Sequence, residues 1–238
     1  MPRVVIAHRG ASGTCPENTL AAFRRAAALG AHMIELDVQL TRDGEVVVVH
    51  DWTLDRTTDG SGPVGAAALA DIRQLDAGAW FDARFAGERV PTLAEVLAGV
   101  TLPVNVELKP VGDDGLETRA LAIVDAAAAA ARVVFSSFDP HVLVRLRARA
   151  AGARIGVLWE DTRIEEAVHL AERVGARTLH VRKDVVSRTL VETAGAAGLA
   201  VLAWTVNDPG ESRHLEAVGV EGIFTDFPER FLQPGATE

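Results

Sequence analysis

"MIELDVQLTRDGEVVVVH", residues 33–50, decides how the whole chain must be counted. Residues 33–40 and 46–50 both read as strands, and Asp43-Gly44 between them is a strong two-residue hairpin signal. The second run is therefore expected to return antiparallel along the first. A two-residue loop sets Thr41 opposite Val46, Gln39 opposite Val48, Val38 opposite Val49 and Asp37 opposite His50. Directly opposed residues project to one face. That register stands His50 beside Asp37, with Glu35 on the same face through the period-2 alternation of a strand.

With the return arm set aside, eight strands remain, at residues 4–8, 33–40, 104–109, 133–137, 155–159, 178–181, 201–206 and 222–225. Most are apolar on both faces, as parallel strands covered by helices are. Amphipathic segments separate them, at 20–29, 116–131, 140–151, 164–174 and 187–197. Gly30, Gly152, Gly175 and Gly198 are placed as helix C-caps. The rhythm implies an eight-stranded α/β barrel in one domain, residues 1–238. An open doubly wound sheet would call for a glycine-rich dinucleotide loop after the first strand, and there is none. Between 51 and 91 the rhythm breaks into turn-rich sequence with one short helix over 66–75, too long for a plain connection. It reads as an insertion at the barrel mouth, with Trp52, Trp80, Phe81 and Phe85 as its own small core.

A chain of 238 residues is normal for one such barrel and buries a core large enough to need no disulfide or structural metal. Cys15 is the only cysteine, so no intrachain disulfide forms. A net charge of −9 argues against a nucleic-acid partner and against stable binding to an anionic membrane. No run approaches a membrane span, and "MPRVVIAHRG" has too short an apolar stretch for a signal peptide. The expectation is a soluble cytoplasmic protein; nothing in the sequence fixes an oligomeric state.

Polar residues gather where strands end, the face on which an α/β barrel carries its chemistry. His8 and Arg9 end the first strand, Glu35 and Asp37 lie on the second, His50 ends its return arm, and Glu107 and Lys109 end "VNVELK". Buried carboxylates are costly unless paired or metal-bound. Three of them from two strands suit a hard divalent cation, Ca2+ or Mg2+, better than zinc. Two histidines beside them suit a general acid and a general base. Arg9 and Lys109 suit phosphate oxygens, through charge-assisted hydrogen bonds. Cation, anion clamp and paired histidines together point to hydrolysis of a phosphate ester.

The motifs "AHRGASGTCPENTLAAF", "IELDVQLTRDGEVVVVHD", "LDRTTDGSG", "VPTLAEVL", "VNVELK", "WTVND" and "GIFTDFP" occur in order along the chain. As an ordered set they resemble the glycerophosphodiester phosphodiesterase family. That resemblance implies a TIM-type (β/α)8 barrel with a small insertion after the second strand. It implies hydrolysis of a glycerophosphodiester, a small molecule, to sn-glycerol 3-phosphate and an alcohol. It makes His8 and His50 the catalytic pair, Glu35, Asp37 and Glu107 the metal ligands, and Arg9 and Lys109 the phosphate contacts. Trp204 would border the alcohol-binding end. A relative that acts on lysophospholipids is the second enzyme reading; it requires an apolar groove for an acyl chain.

Other residues have humbler expectations. Asn18 or Thr19 caps the first helix with Glu17 in the same turn, an active-site hydrogen bond from Glu17 being the alternative, and Asp226 ties down the last strand. His180 and Arg182 share a strand face and either line the pocket or form a surface pair.

Overall fold

The fold, in a computed structural model, is described for Pro2 and residues 4–232; residues 1, 3 and 233–238 of the expected domain lie outside the description. The strands are Val4–Ala7 (β1), Met33–Leu40 (β2), Val46–Val48 (β3), Val104–Leu108 (β4), Val133–Ser137 (β5), Arg154–Trp159 (β6), Thr178–Arg182 (β7), Ala200–Trp204 (β8) and Gly222–Thr225 (β9). β1 pairs in parallel with both β2 and β9, which closes the sheet into a ring of eight parallel strands. β3 lies outside the ring, antiparallel to β2. This is a TIM-type (β/α)8 barrel with an insertion after its second strand.

The helices are Leu20–Ala28 (α1), Leu69–Ile72 (α2), Leu93–Gly99 (α3), Leu116–Ala126 (α4), Pro140–Arg149 (α5), Ile164–Val174 (α6), Arg188–Ala196 (α7) and Pro209–Ala217 (α8). Thr19, Thr92, Asp139, Ser187 and Asp208 start five of them by accepting a first-turn N–H. α3 and α8 are additions to the segments expected from periodicity. α3 has only seven residues and α8 buries only Ser212 and Leu215, so neither shows a clear apolar stripe, but both carry start signals, the Thr92/Glu95 capping box and Asp208-Pro209. Gly175 ends α6 in the left-handed conformation at φ +60°, as expected. Gly152 does not serve this way: α5 stops at Arg149, with Ala150 as its cap in extended conformation.

Alternation along the strands sorts the interior. Ile34, Leu36, Val38, Val104, Val106 and Leu108 face outward and join the inner faces of the helices in one core. Inside the ring, Ile6, Leu202 and Phe224 form an apolar plug. Each such buried side chain contributes on the order of 1.5–3 kcal/mol. That leaves the inward positions nearer the strand C-termini for polar groups.

The hairpin forms, but one residue out of the expected register. Thr41 N–H donates to Glu45 O at 3.0 Å and Gly44 N–H to Thr41 O at 3.0 Å, so the loop is the three residues Arg42, Asp43 and Gly44. Gly44 sits at φ +81°, the left-handed position such a loop requires. Val38 therefore pairs with Val48 and Gln39 with Val47, and Asp37 O accepts from Val49 N–H at 3.0 Å. Extended by two residues, that ladder would turn His50 outward. Instead β3 stops at Val48. The Gln39 side-chain amide then donates to three successive carbonyls, Val49 at 3.0 Å, His50 at 3.1 Å and Asp51 at 2.7 Å. This turn brings His50 to the barrel mouth.

The small core of the insertion is aliphatic rather than aromatic. Val47 and Val49 pack with Leu54, Val64, Ile72, Ala77 and Val90. Trp52 and Trp80 are exposed instead, and Trp80, Phe81 and Phe85 meet edge to face. Among the described residues, no helix is long and apolar enough to cross a membrane.

Candidate active site

The parallel register of β2 and β4 sets Asp37 beside Glu107 and Glu35 beside Asn105. Glu35, Asp37 and Glu107 each offer an oxygen within 4.8 Å of the others. Glu35 and Asp37 are almost completely buried. Burial and the neighbouring carboxylates hold Glu35 well above its ordinary range and push Glu107 up to about 8. Burial also works against the charge on Asp37, but Arg9, His50, Lys109 and the Asn18 amide outweigh it and hold its pKa low. Three crowded oxygen donors, two of them reluctant to ionise unaided, fit a hard divalent cation.

Arg9 leaves β1 at φ +57°, an uncommon conformation for a side chain this large. Its backbone N–H donates to Glu35 Oε2 at 2.8 Å, its Nη1 to Glu17 Oε1 at 2.8 Å, and its Nε lies 3.5 Å from Asp37 Oδ2. Gly10 follows at φ +83°, where an added Cβ would lie 2.7 Å from the backbone carbon of Ala22. Only glycine lets the chain pass α1 there. Lys109 Nζ stands 3.5 Å from Glu107 Oε1 and 3.7 Å from Asp37 Oδ1, and 5.8 Å from the centroid of the Trp52 ring.

Each histidine has its own carboxylate. His8 Nδ1 lies 2.7 Å from Asp226 Oδ1, which also accepts from Ser12 Oγ at 3.0 Å; Asp226 Oδ2 accepts from Asn207 Nδ2 at 2.7 Å. Burial opposes the charge on Asp226, yet His8, Asn207 and Ser12 prevail and hold its pKa down at about 2. His50 Nδ1 lies 2.7 Å from Asp51 Oδ1. Desolvation lowers the pKa of His50, aided by the cations of Arg9 and Lys109 and opposed by Asp37 and Asp51. An ionised carboxylate on Nδ1 fixes the proton there and leaves Nε2 available to a bound molecule.

His8, Arg9, Glu35, His50, Glu107 and Trp204 line one pocket, so six of the eight residues expected from sequence meet there. Asp37 and Lys109 adjoin it through their contacts with the others. Trp204 forms an aromatic wall with Phe138, ring centroids 5.6 Å apart and nearly perpendicular.

Several residues play other parts than expected. Thr19, not Asn18, caps α1; Asn18 Nδ2 donates to Asp37 Oδ2 at 2.9 Å. For Glu17 the alternative reading holds: it joins the site through its hydrogen bond from Arg9. Asp226 faces His8, a contact that exists because the barrel closes β9 onto β1 and that closure alone could have signalled. His180 is neither in the pocket nor at the surface. It is buried inside the barrel, with Thr178 Oγ1 at 2.9 Å from Nε2, and burial depresses its pKa to about 3. Arg182 is half-buried, near Glu160 and Asp184.

The sequence profile of the Glycerophosphoryl diester phosphodiesterase family matches residues 8–230. The "Glycerophosphodiester phosphodiesterase" of Caldanaerobacter subterraneus subsp. tengcongensis is 41% identical over 98% of this chain and 97% of its own length. The Bacillus subtilis "Glycerophosphodiester phosphodiesterase" is 32% identical over 96% of this chain and 85% of its own. Among solved structures, an Oleispira antarctica phosphodiesterase in complex with the product sn-glycerol-3-phosphate superposes with a TM-score of 0.87 at 34% identity, over 96% of this chain and 95% of that one.

Proposed function

This chain belongs to the glycerophosphoryl diester phosphodiesterase family and is a phosphodiester hydrolase, and from that premise we propose that it cleaves glycerophosphodiesters to sn-glycerol 3-phosphate and an alcohol, with His8 and His50 as acid and base beside one divalent cation, Ca2+ or Mg2+. The reading rests on one observation: two histidine–carboxylate pairs adjoin a three-carboxylate group in a single pocket. The Oleispira antarctica structure, which holds that product, supports the product class.

Glu35, Asp37 and Glu107 would hold the cation. When bound, it would neutralise phosphate charge and stabilise the charge that develops during displacement. Arg9 and Lys109 add positive charge at the same place and hold phosphate oxygens. One histidine takes the proton of the attacking oxygen, either that of water or that of a neighbouring glycerol hydroxyl, whose cyclic phosphate water then opens to sn-glycerol 3-phosphate. The other protonates the leaving alkoxide. Each transfer is worth about 10²–10⁴-fold. Asp226 and Asp51 keep the proton on Nδ1, so each Nε2 works from a fixed orientation. Trp204 and Phe138 present an apolar wall to the alcohol.

A second substrate reading has its own support. An open groove of about 800 Å³ runs past Trp52, Pro63, Pro110 and Val111, and its Trp52 wall is the ring that faces Lys109. It suits the acyl chain of a lysophospholipid.

The test is hydrolysis of glycerophosphocholine and of lysophosphatidylcholine by purified protein, with Ca2+, Mg2+ and Mn2+ in turn and again in chelator. Turnover of the first that disappears on chelation is expected. Equal turnover in chelator would remove the cation from the reading, and wild-type turnover by His50→Ala would remove that histidine.

A further inference from the structure

The motif "LDRTTDGSG" places Arg56 in the insertion, and nothing in the proposed chemistry uses it. Its guanidinium nonetheless makes two complete forks. Nε and Nη2 donate to Asp51 Oδ2 and Oδ1 at 2.7 and 2.9 Å. Nη1 and Nη2 donate to Glu17 Oε2 and Oε1 at 2.7 and 2.8 Å. Four of its five N–H groups are thereby committed. Asp51 is the carboxylate on His50, and Glu17 is the carboxylate on Arg9. A continuous chain of contacts therefore runs His50–Asp51–Arg56–Glu17–Arg9, joining the insertion to the loop that follows β1.

We propose that Arg56 is a positioning residue: by clamping Asp51 and Glu17 together it holds the His50 imidazole and the Arg9 guanidinium in fixed relation across the pocket mouth. The proposal rests on the reading of His50 and Arg9 given above. Exposed ion pairs are usually worth little. This one differs in geometry, because both carboxylates are bound bidentately and Glu17 is only 13% exposed. It differs also in what hangs from it, since each carboxylate spends its remaining capacity on a group at the reacting phosphate. A lysine cannot replace it, for an ammonium has no planar fork to serve two carboxylates at once. Small misplacements of such groups cost rate more than affinity.

The experiment uses the full chain and glycerophosphocholine with saturating divalent cation. Arg56→Gln is expected to lower kcat about 10- to 100-fold with KM changed less than about threefold. Arg56→Lys, which keeps the cation, should still be down at least about fivefold. A second readout is independent of turnover. The downfield Nδ1–H proton resonance of His50, identified by its loss in His50→Ala, should shift or broaden in both variants while far-UV circular dichroism stays native. If Arg56→Gln does not fold, Arg56→Lys carries the test. Wild-type kcat with an unmoved resonance, or a loss confined to KM, overturns the proposal. An inactive His50→Ala beside a fully active Arg56→Gln sinks the role of Arg56 alone. An active His50→Ala sinks the underlying reading of the site.

Discussion

His8 and His50 carry one device in two settings. Asp226 gives its oxygens to His8, Ser12 and Asn207, whereas Asp51 divides its oxygens between His50 and the Arg56 guanidinium. Asp226→Asn keeps the size and a hydrogen-bonding atom beside Nδ1 but no longer demands a proton there. The imidazole can then adopt the other tautomer. The expected outcome is a kcat lower by about 10²–10⁴-fold with little change in melting temperature, measured by steady-state kinetics and thermal unfolding. A fall under threefold would show that the carboxylate does not govern the tautomer. The gathering of the eight site residues at one pocket was legible in the sequence because each ends or lies on a recognisable strand and belongs to a quoted motif. Asp226 as the partner of His8, and Arg56 as the partner of Glu17, were not, for a common reason. Their partners lie 218 and 39 residues away along the chain, across connections whose path no local pattern fixes.

At the scale of elements, the β2–β3 hairpin shows how a correct placement can follow from a wrong register. The Asp43-Gly44 signal does mark a turn, but the three-residue loop shifts the pairing by one. His50 reaches the pocket through the Gln39 clasp on the carbonyls of Val49, His50 and Asp51. Gln39→Leu keeps the volume and removes the donor. It should cost about 1–3 kcal/mol of stability through carbonyls left short of a partner. It should also lower kcat at least about tenfold by releasing His50. Urea unfolding and kinetics on one preparation check both halves, and an unchanged kcat would mean that His50 is held from elsewhere. Inside the barrel, Gly156 on β6 meets His180 on β7. An added Cβ would stand 2.4 Å from His180 Cε1. Gly156→Ala should therefore destabilise by about 1–3 kcal/mol, read as a lower urea midpoint with an unchanged slope. The fold class was readable because eight two-sided apolar runs admit few arrangements. The register was not, because two- and three-residue loops share the same Asp-Gly signature.

Over the whole molecule, ring closure places ionisable groups where little water reaches them, and stability is then expected to depend on pH and on any cation the carboxylates hold. Burial and neighbouring charge raise Glu107 to about 8 in the folded chain, against an ordinary 4.5. The folded state therefore binds more protons than the unfolded one between those values. Stability from this group is fully present below about 4.5 and is lost as pH rises towards 8, with a slope of up to about 1.4 kcal/mol per pH unit. His180 acts in the opposite sense. Burial depresses it to about 3 from 6.5, so its contribution is present above 6.5 and is lost as pH falls. Without divalent cation the two effects oppose each other between about 4.5 and 6.5, and above 6.5 the carboxylate loss stands alone. A cation held by Glu35, Asp37 and Glu107, as proposed, would take the place of the proton on Glu107, and its binding would release that proton. At 100 times its dissociation constant it adds about 2.7 kcal/mol. For a chain of this size that is roughly 5–10 °C in melting temperature. The increment on adding Ca2+ or Mg2+ should therefore be larger at pH 8 than at pH 5.5. Thermal unfolding at the two pH values, with cation and with chelator, measures it, and titration calorimetry in buffers of different ionisation enthalpy counts the protons released. An increment independent of pH, with no proton release, would place the bound ion away from Glu107.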